Sequence, residues 1–259
     1  MQCPICETRA ELFGSATVLK KYQAEFCRCR SCGFLFAQDP VWLDEAYASA
    51  ITASDVGLVD RNLWFAKVAC SMVSVLFDAD GRFLDYGGGT GLFTRLMRDR
   101  GFDWYWFDPA CRNFFAQGYA ADPNDGGRYD LLTAAELFEH LVDPVQVMTE
   151  LRALSSNVLF TTRLLPEPPP RLDQWWYYNL EHGQHVSFYT RKSLRTLGEK
   201  FGLQLTSNGE NLHLFSSKRV SEITFKLVAS HPFFSLVALF RSRQSLLPAD
   251  FEATTGKGK

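Results

Sequence analysis

Two pairs of cysteines, a run of glycines behind an acid, and two histidine-bearing stretches are the parts of this chain whose types and spacing could do chemistry. Cys3-Pro4-Ile5-Cys6 and Cys29-Arg30-Ser31-Cys32-Gly33 are separated by 22 residues. Two such knuckles, each supplying two thiolates, close a tetrahedral four-cysteine site with no open position, so a structural Zn2+ is expected. Cys27 competes with Cys29 as a ligand only at a poorer spacing to Cys32. A module this small builds no apolar core of its own, and the metal would provide much of its folding energy. The seven cysteines are an odd number, and the N-terminus carries no export signal, so a disulfide framework is not expected.

The second feature is Phe83-Leu84-Asp85-Tyr86-Gly87-Gly88-Gly89-Thr90-Gly91. It reads as a strand end, an acid, a glycine turn and the start of a helix at Leu92. That arrangement lets a nucleoside ligand approach bare backbone. Counted from Gly87, the dinucleotide fingerprint needs glycine where Leu92 stands, so NAD is not the expected ligand. Asp103-Trp104-Tyr105-Trp106-Phe107-Asp108 is the next strand, and Asp108 lies 17 residues beyond Gly91. An acid at the carboxyl end of that strand can accept hydrogen bonds from ribose hydroxyls.

Glu139-His140 stands at the start of a helix just past a strand end, where ligands bind in open α/β sheets. The other histidine stretch is Trp175-Trp176-Tyr177-Tyr178-Asn179-Leu180-Glu181-His182-Gly183-Gln184-His185. It follows a proline-rich bend, Pro166 to Pro170, and is expected to cross a pocket mouth. Its four aromatics could form a platform for a sugar ring, with Tyr178 at the site. His185 has the pKa range of a base near neutrality, and His182 is its weaker competitor.

The elements that must position these groups alternate as strand and helix from Phe83 to Thr162, the α/β signature. Ahead of them a short helix is expected over Val41–Ala50. A longer one is expected over Asp60–Phe77, with Leu63, Ala66, Cys70, Val73 and Phe77 on one face. A short third strand falls between Gly118 and Gly127. Thr190 caps a helix to about Phe201, and two last strands surround Leu203–Thr206 and Leu212–Phe215. His213, among apolar neighbours, is expected to be structural. The expected domains are a ribbon over 1–36, a helical linker or lid over 37–80, the ligand-binding domain over 81–220 and a helical extension over 221–259. Residues from Thr254 are expected to be disordered.

FLDYGGGTG, WFDPA and YDLLTAAELFEHLVDP together resemble the class I S-adenosylmethionine-dependent methyltransferases, nearest to bacterial small-molecule types. The paired-cysteine ribbon is similar to those of members acting on sugars in natural-product and surface-polysaccharide pathways. The resemblance covers about residues 1 to 220. It implies a seven-stranded, Rossmann-like doubly wound sheet. It also implies S-adenosylmethionine held by Asp85, Gly87, Gly89, Gly91, Asp108, Ala134 and Glu136, with the methionine portion near Asp85 and the ribose at Asp108. Asp122 is the candidate for the adenine. His185 resembles the proton-accepting histidine of the E-H-x-x-Y/F motif in some sugar C-methyltransferases. Gln184 replaces the glutamate of that motif, so O-methylation and C-methylation both stay open. Glu139, His140, His185 and Tyr178 are the catalytic candidates, and the acceptor is expected to be a small saccharide.

The bulk numbers agree with a soluble enzyme in the cytoplasm: 46% hydrophobic residues, 22% charged and a net charge of −2. That charge offers nucleic acid no general attraction. Phe225, Phe233, Phe234, Leu236, Leu239 and Phe240, with Lys226, Arg241 and Arg243, leave room for peripheral membrane contact. A catalytically silent cofactor-binding protein and an RNA or protein methyltransferase are the alternative readings. Oligomeric state is not encoded in any of these signals.

Overall fold

The structure is a computed structural model that describes residues 1–48, 55–231, 233–234 and 243–256. It forms two compact units. One comprises Met1–Ile51, Glu136–Arg152 and Phe160–Arg219, the other Thr52–Ala135, Ala153–Leu159 and Val220–Lys259.

In the first unit, β1 (Ala10–Val18) and β2 (Tyr22–Cys29) form an antiparallel ribbon. The tight turn between them holds Leu19 and Lys20 at φ of 50° and 60°. β3 (Leu35–Ala37) adds to β2, and a strand from far along the chain, β8 (Ser187–Phe188), adds to β3. Sheet order is therefore β1-β2-β3-β8. Val18, Ala24, Phe26 and Leu35 of the ribbon pack into one apolar cluster with Trp42, Tyr177, Tyr178 and Phe188. The ribbon borrows the core that it is too short to build alone.

α1 (Leu43–Ala46) is shorter than the expected helix, whose Ala50 lies outside the described residues. α2 (Leu58–Leu76) agrees with the expected span. Its buried face is broader than the expected stripe. Phe65, Val68 and Met72 are fully enclosed, whereas Leu63 is 38% exposed and Cys70 half-buried. The apolar run from Phe65 to Val73 is continuous enough to bury two sides of the helix, which moves the stripe by about one position.

The remaining elements are β4 (Arg82–Tyr86), α3 (Leu92–Arg98), β5 (Asp103–Phe107), β6 (Leu131–Ala135), α4 (Pro144–Leu154), β7 (Asn157–Thr161), α5 (Arg191–Lys200), β9 (Gln204–Ser207) and β10 (Leu212–Ser216). Their strands run β5-β4-β6-β7-β10-β9 in a six-stranded sheet. β4 is parallel to β5 and β6, and β10 is antiparallel to β9. A mixed α/β sheet with parallel strands β5-β4-β6 and an antiparallel β10-β9 edge matches the sheet expected from the class I methyltransferase resemblance.

The short third strand expected between Gly118 and Gly127 is reduced to one bridge, Trp106 with Ala120. Trp106 N–H donates to Tyr119 O and Ala121 N–H to Trp106 O, both at 2.8 Å. The chain then meets Asp122-Pro123-Asn124-Asp125-Gly126-Gly127. There Asp122 accepts from the Asn124 N–H at 2.8 Å and Asp125 from the Gly127 N–H at 2.7 Å. Side chains that satisfy local backbone donors, with a proline that has none, leave no ladder to extend.

α6 (Glu222–Val228) and a C-terminal helix, Leu247–Thr255, complete the second unit. The latter helix runs past Thr254, where disorder was expected, because Asp250 is drawn inward to Arg98. Leu236, Leu239, Phe240 and Arg241, on which the membrane-contact reading rests, lie outside the described residues, as do Lys257–Lys259. Among the described residues no helix is long and apolar enough to cross a membrane.

Candidate functional site

The second unit holds the glycine turn. Gly87 and Gly88 N–H both donate to Phe107 O, at 2.8 and 3.1 Å, which pins the turn to the end of β5. Trp106 Nε1–H donates to Gly89 O at 3.0 Å. Gly89 has φ of 53°, and a Cβ built there would meet nothing within 4 Å, so the turn presents open backbone. Gly91 begins α3 at φ of 83°, and a Cβ there would lie 2.6 Å from Asn113 Oδ1 and 3.2 Å from Ala116 N. Only glycine suits that position.

Asp108 closes the turn. Its Oδ2 accepts from Gly89 N–H at 2.8 Å, and Oδ1 accepts from Ala110 and Cys111 N–H at 2.7 and 2.9 Å. It stays partly exposed at the strand end. Asp85 is 2% exposed and accepts the Thr133 hydroxyl at 2.8 Å. Burial, opposed by the Thr133 bond and reinforced by nearby Asp108, pushes its carboxyl up to about 7. Ala134 is enclosed in β6. Asp122 is exposed in its own turn.

The first unit holds the other candidates. Glu136 takes a left-handed φ of 49°, a strained conformation for a residue with a Cβ. It is held there by Thr161, whose Oγ1 accepts the Glu136 N–H at 2.8 Å and whose hydroxyl donates to Oε1 at 2.7 Å. Glu139 is wholly buried and accepts the Tyr177 hydroxyl at 2.7 Å. The rings of His140 and His185 stand perpendicular, with centroids 4.9 Å apart. His140 Nδ1 lies 3.1 Å from Gln184 O and 3.0 Å from Tyr47 Oη. His185 Nδ1 lies 2.7 Å from Tyr177 O. A carbonyl only accepts, so each Nδ1 carries the hydrogen and each Nε2 keeps a lone pair. Burial, with His185 nearby, pulls His140 down to about 3, and burial likewise lowers His185. Both rings are neutral at physiological pH. Glu139, His140 and His185 bring one donor atom apiece to within 4.8 Å of one another.

The aromatic run does not form a continuous platform. Tyr177 and Tyr178 are 3% and 1% exposed, and only Trp176 stands out, at 73%. Tyr178 donates to Pro170 O at 2.8 Å from within the apolar cluster. Of these aromatics it is Tyr177 that reaches Glu139. His213 is structural, with its ring nitrogens 2.9 Å from Ser207 Oγ and Thr162 O.

Cys3, Cys6, Cys29 and Cys32 gather their sulfurs within 4.8 Å of one another. Cys3 and Cys32 are 3.7 Å apart, Cys6 and Cys29 3.3 Å, and all are free thiols. Cys27 stands apart, facing Gln38 at 3.6 Å. The four-sulfur cluster suits a cation.

The family described as "Methyltransferase domain" matches residues 64–208, more than half of the 259. The chain belongs to this methyltransferase family. Among curated proteins none matches it. The chain is similar to solved structures at low identity. One is CalO1, a methyltransferase in calicheamicin biosynthesis, in its SAH-bound form (16% identity, 70% of this chain and 60% of that one, TM-score 0.46). Another is an O-methyltransferase family 2 protein from Planctomyces limnophilus in complex with apigenin (14%, 69% and 66%, TM-score 0.45). A third is the N-terminal domain of EvdMO1 with SAH and D-fucose (15%, 64% and 85%, TM-score 0.40). The methyltransferase spans about 60% of the length of the first of these.

The family is one of methyltransferase domains, and this chain's own residues suit a cofactor built of a nucleoside and an amino acid. An open glycine turn, an acid beside it at a strand end and a second, buried acid make a cradle for a nucleoside and an amino acid. Sequence reasoning missed Thr133, Asn113 and the hydrogen-bonding role of Tyr177. Thr133 lies mid-strand in an apolar run, and that interruption was the one available signal.

Proposed function

We propose that the protein transfers a methyl group from S-adenosylmethionine to a hydroxyl or carbon acid of a small saccharide. The observation that carries this reading is the pair of neutral, half-buried imidazoles with Nδ1–H tied to backbone carbonyls and Nε2 left as an acceptor. When bound, the cofactor supplies an electrophilic methyl on a sulfonium. Asp85 would take the methionine ammonium, the backbone of Gly87, Gly89 and Gly91 would line the cofactor, and Asp108 would accept the ribose hydroxyls. Ala134 and Glu136 are the remaining candidates for cofactor contact. His185 Nε2, with its free lone pair, would accept the proton that the acceptor hydroxyl or carbon acid gives up. Glu139, through Tyr177, and His140 hold the stretch that carries His185. Trp176, the exposed aromatic, offers a face for a sugar ring.

Cys3, Cys6, Cys29 and Cys32 hold a structural Zn2+. Four thiolates at about 2.3 Å from zinc stand about 3.8 Å apart, close to the 3.7 Å between Cys3 and Cys32. The Thr8 hydroxyl, 3.0 and 3.1 Å from the sulfurs of Cys6 and Cys29, and the Cys32 N–H on Cys29 would then offset thiolate charge.

Labelled methyl transfer from S-adenosylmethionine across a saccharide panel tests the reading. His185→Gln should lower kcat by about 100-fold or more and leave S-adenosylhomocysteine affinity unchanged. Cofactor binding with no transfer to any acceptor would instead mark a catalytically silent protein. Metal analysis should find about one zinc per chain.

A further inference from the structure

Residues 180–190 are tied repeatedly to the ribbon sheet and to the α1 segment that follows it. Leu19 N–H donates to Leu180 O at 2.9 Å, and Trp42 Nε1–H to Gly183 O at 2.7 Å. Gln184 Nε2 donates to Ala46 O, and Ala37 N–H to Val186 O, both at 2.8 Å. Ser187 and Phe188 pair with Phe36 and Leu35. Finally, the Thr190 hydroxyl donates to Cys32 O at 2.7 Å, inside the second knuckle. The fit there is close: a Cβ on Gly33 would come within 2.8 Å of Thr190. Gly183 is equally confined, at φ of 68° with Val18 and Trp42 against it.

The same segment carries the other face of the candidate acceptor site. Val186 N–H donates to Glu139 O at 2.8 Å, and Gln184 O holds His140. His185 lies between these two anchors. Asp85, the glycine turn and Asp108, by contrast, draw their hydrogen bonds from within the second unit.

We propose that the four-cysteine ribbon is the alignment frame of His185: closing the metal site at Cys29–Gly33 fixes Thr190 and β8, and thereby sets His185 against Glu139 and His140. This rests on the zinc reading above. Thr190 is a positioning residue in this scheme, and the ribbon is a working wall of the acceptor side. Loss of the metal frees residues 183–190 and spares cofactor binding.

The experiment compares full-length zinc-loaded protein with chelator-treated protein by hydrogen exchange. Amides of residues 183–190 should exchange about tenfold faster or more without metal, while 83–92 and 131–135 keep their protection. S-adenosylhomocysteine affinity, read by calorimetry, should change by less than about threefold. Should chelation unfold the whole chain, a zinc-loaded Thr190→Val variant decides. It loses the bond to Cys32, and faster exchange at 186–189 with a lower kcat but an unchanged KM for S-adenosylmethionine is expected. Thr190 also caps α5 in a capping box with Ser193, so Ser193→Ala, which weakens the cap alone, is the control and should leave 186–189 protected. Unchanged exchange at 183–190 in both the metal-free protein and Thr190→Val would overturn the inference. Purified protein without zinc would sink the metal reading, and Thr190→Val would still report on the tie between knuckle and loop.

Discussion

The fold changes the chemistry of Asp85. Enclosed in β4, it has the Thr133 hydroxyl among the described residues to favour its charge, and burial holds its carboxyl up to about 7. An unfolded aspartate titrates near 3.9, so between about pH 4 and 7 the native state binds the extra proton. On this group alone, the cofactor-free protein loses stability as pH rises through that window. A methionine ammonium beside Asp85 reverses the preference and expels the proton. Calorimetry of S-adenosylhomocysteine binding in buffers of different ionisation enthalpy should show about one proton released near pH 6 and almost none at pH 8. A release that does not depend on pH would remove Asp85 from the cofactor site. Asp108→Ala should weaken the same binding by about 10- to 100-fold, the loss of hydrogen bonds to a charged acceptor. Wild-type affinity in that variant would reject its ribose role.

At the scale of elements, the turn between β4 and α3 depends on one backbone shape. Gly91→Ala meets both a left-handed φ and a side-chain oxygen at 2.6 Å. Gly209, at φ of 92° with open space around its Cβ position, supplies the matching control. Gly209→Ala should cost about 1–2 kcal/mol, the left-handed penalty alone. Gly91→Ala should cost more and also weaken cofactor binding, because α3 must shift to relieve Asn113. Thermal unfolding of the two variants with and without S-adenosylhomocysteine separates these outcomes, and equal destabilisation would mean that the clash relaxes freely. Glycine spacing made this turn legible in the sequence. The third strand was legible as short, from the loop-like residues between Gly118 and Gly127, but its reduction to the bridge at Ala120 follows from the Asp and Pro turn chemistry after it.

Over the whole molecule, long-range ties decide what is core. In the second unit Arg98 and Asp250, 6% and 5% exposed in their side chains, form a bidentate pair at 2.8 Å, and the Tyr119 hydroxyl adds a bond to Asp250 at 2.7 Å. Asp250→Ala leaves a buried guanidinium short of its partner and should cost about 3–5 kcal/mol in denaturant unfolding. Arg98 also pairs with Asp103 at 2.8 Å, and a loss below about 1 kcal/mol would show that this pair suffices. In the first unit the apolar cluster joins ribbon residues to Tyr177, Tyr178 and Phe188, which turns the expected sugar platform into interior. Four aromatics in a row show only that large rings are present. Which of them faces water is set by partners distant in the chain.

The sequence by itself determined the local chemistry: the paired cysteines, the glycine turn with Asp85 and Asp108, the α/β alternation, and the cap at Thr190. These are decided by spacing, backbone freedom and near neighbours, all of which a linear chain carries. Tertiary structure decided the rest. It made the ribbon sheet take its fourth strand from the histidine loop, put Tyr177 rather than Tyr178 on Glu139, and left two imidazoles neutral with the same nitrogen open on each. Such outcomes depend on which groups lose water together and which carbonyl lies beside which ring. Burial and pairing across long separations are properties of the fold, not of any stretch of sequence.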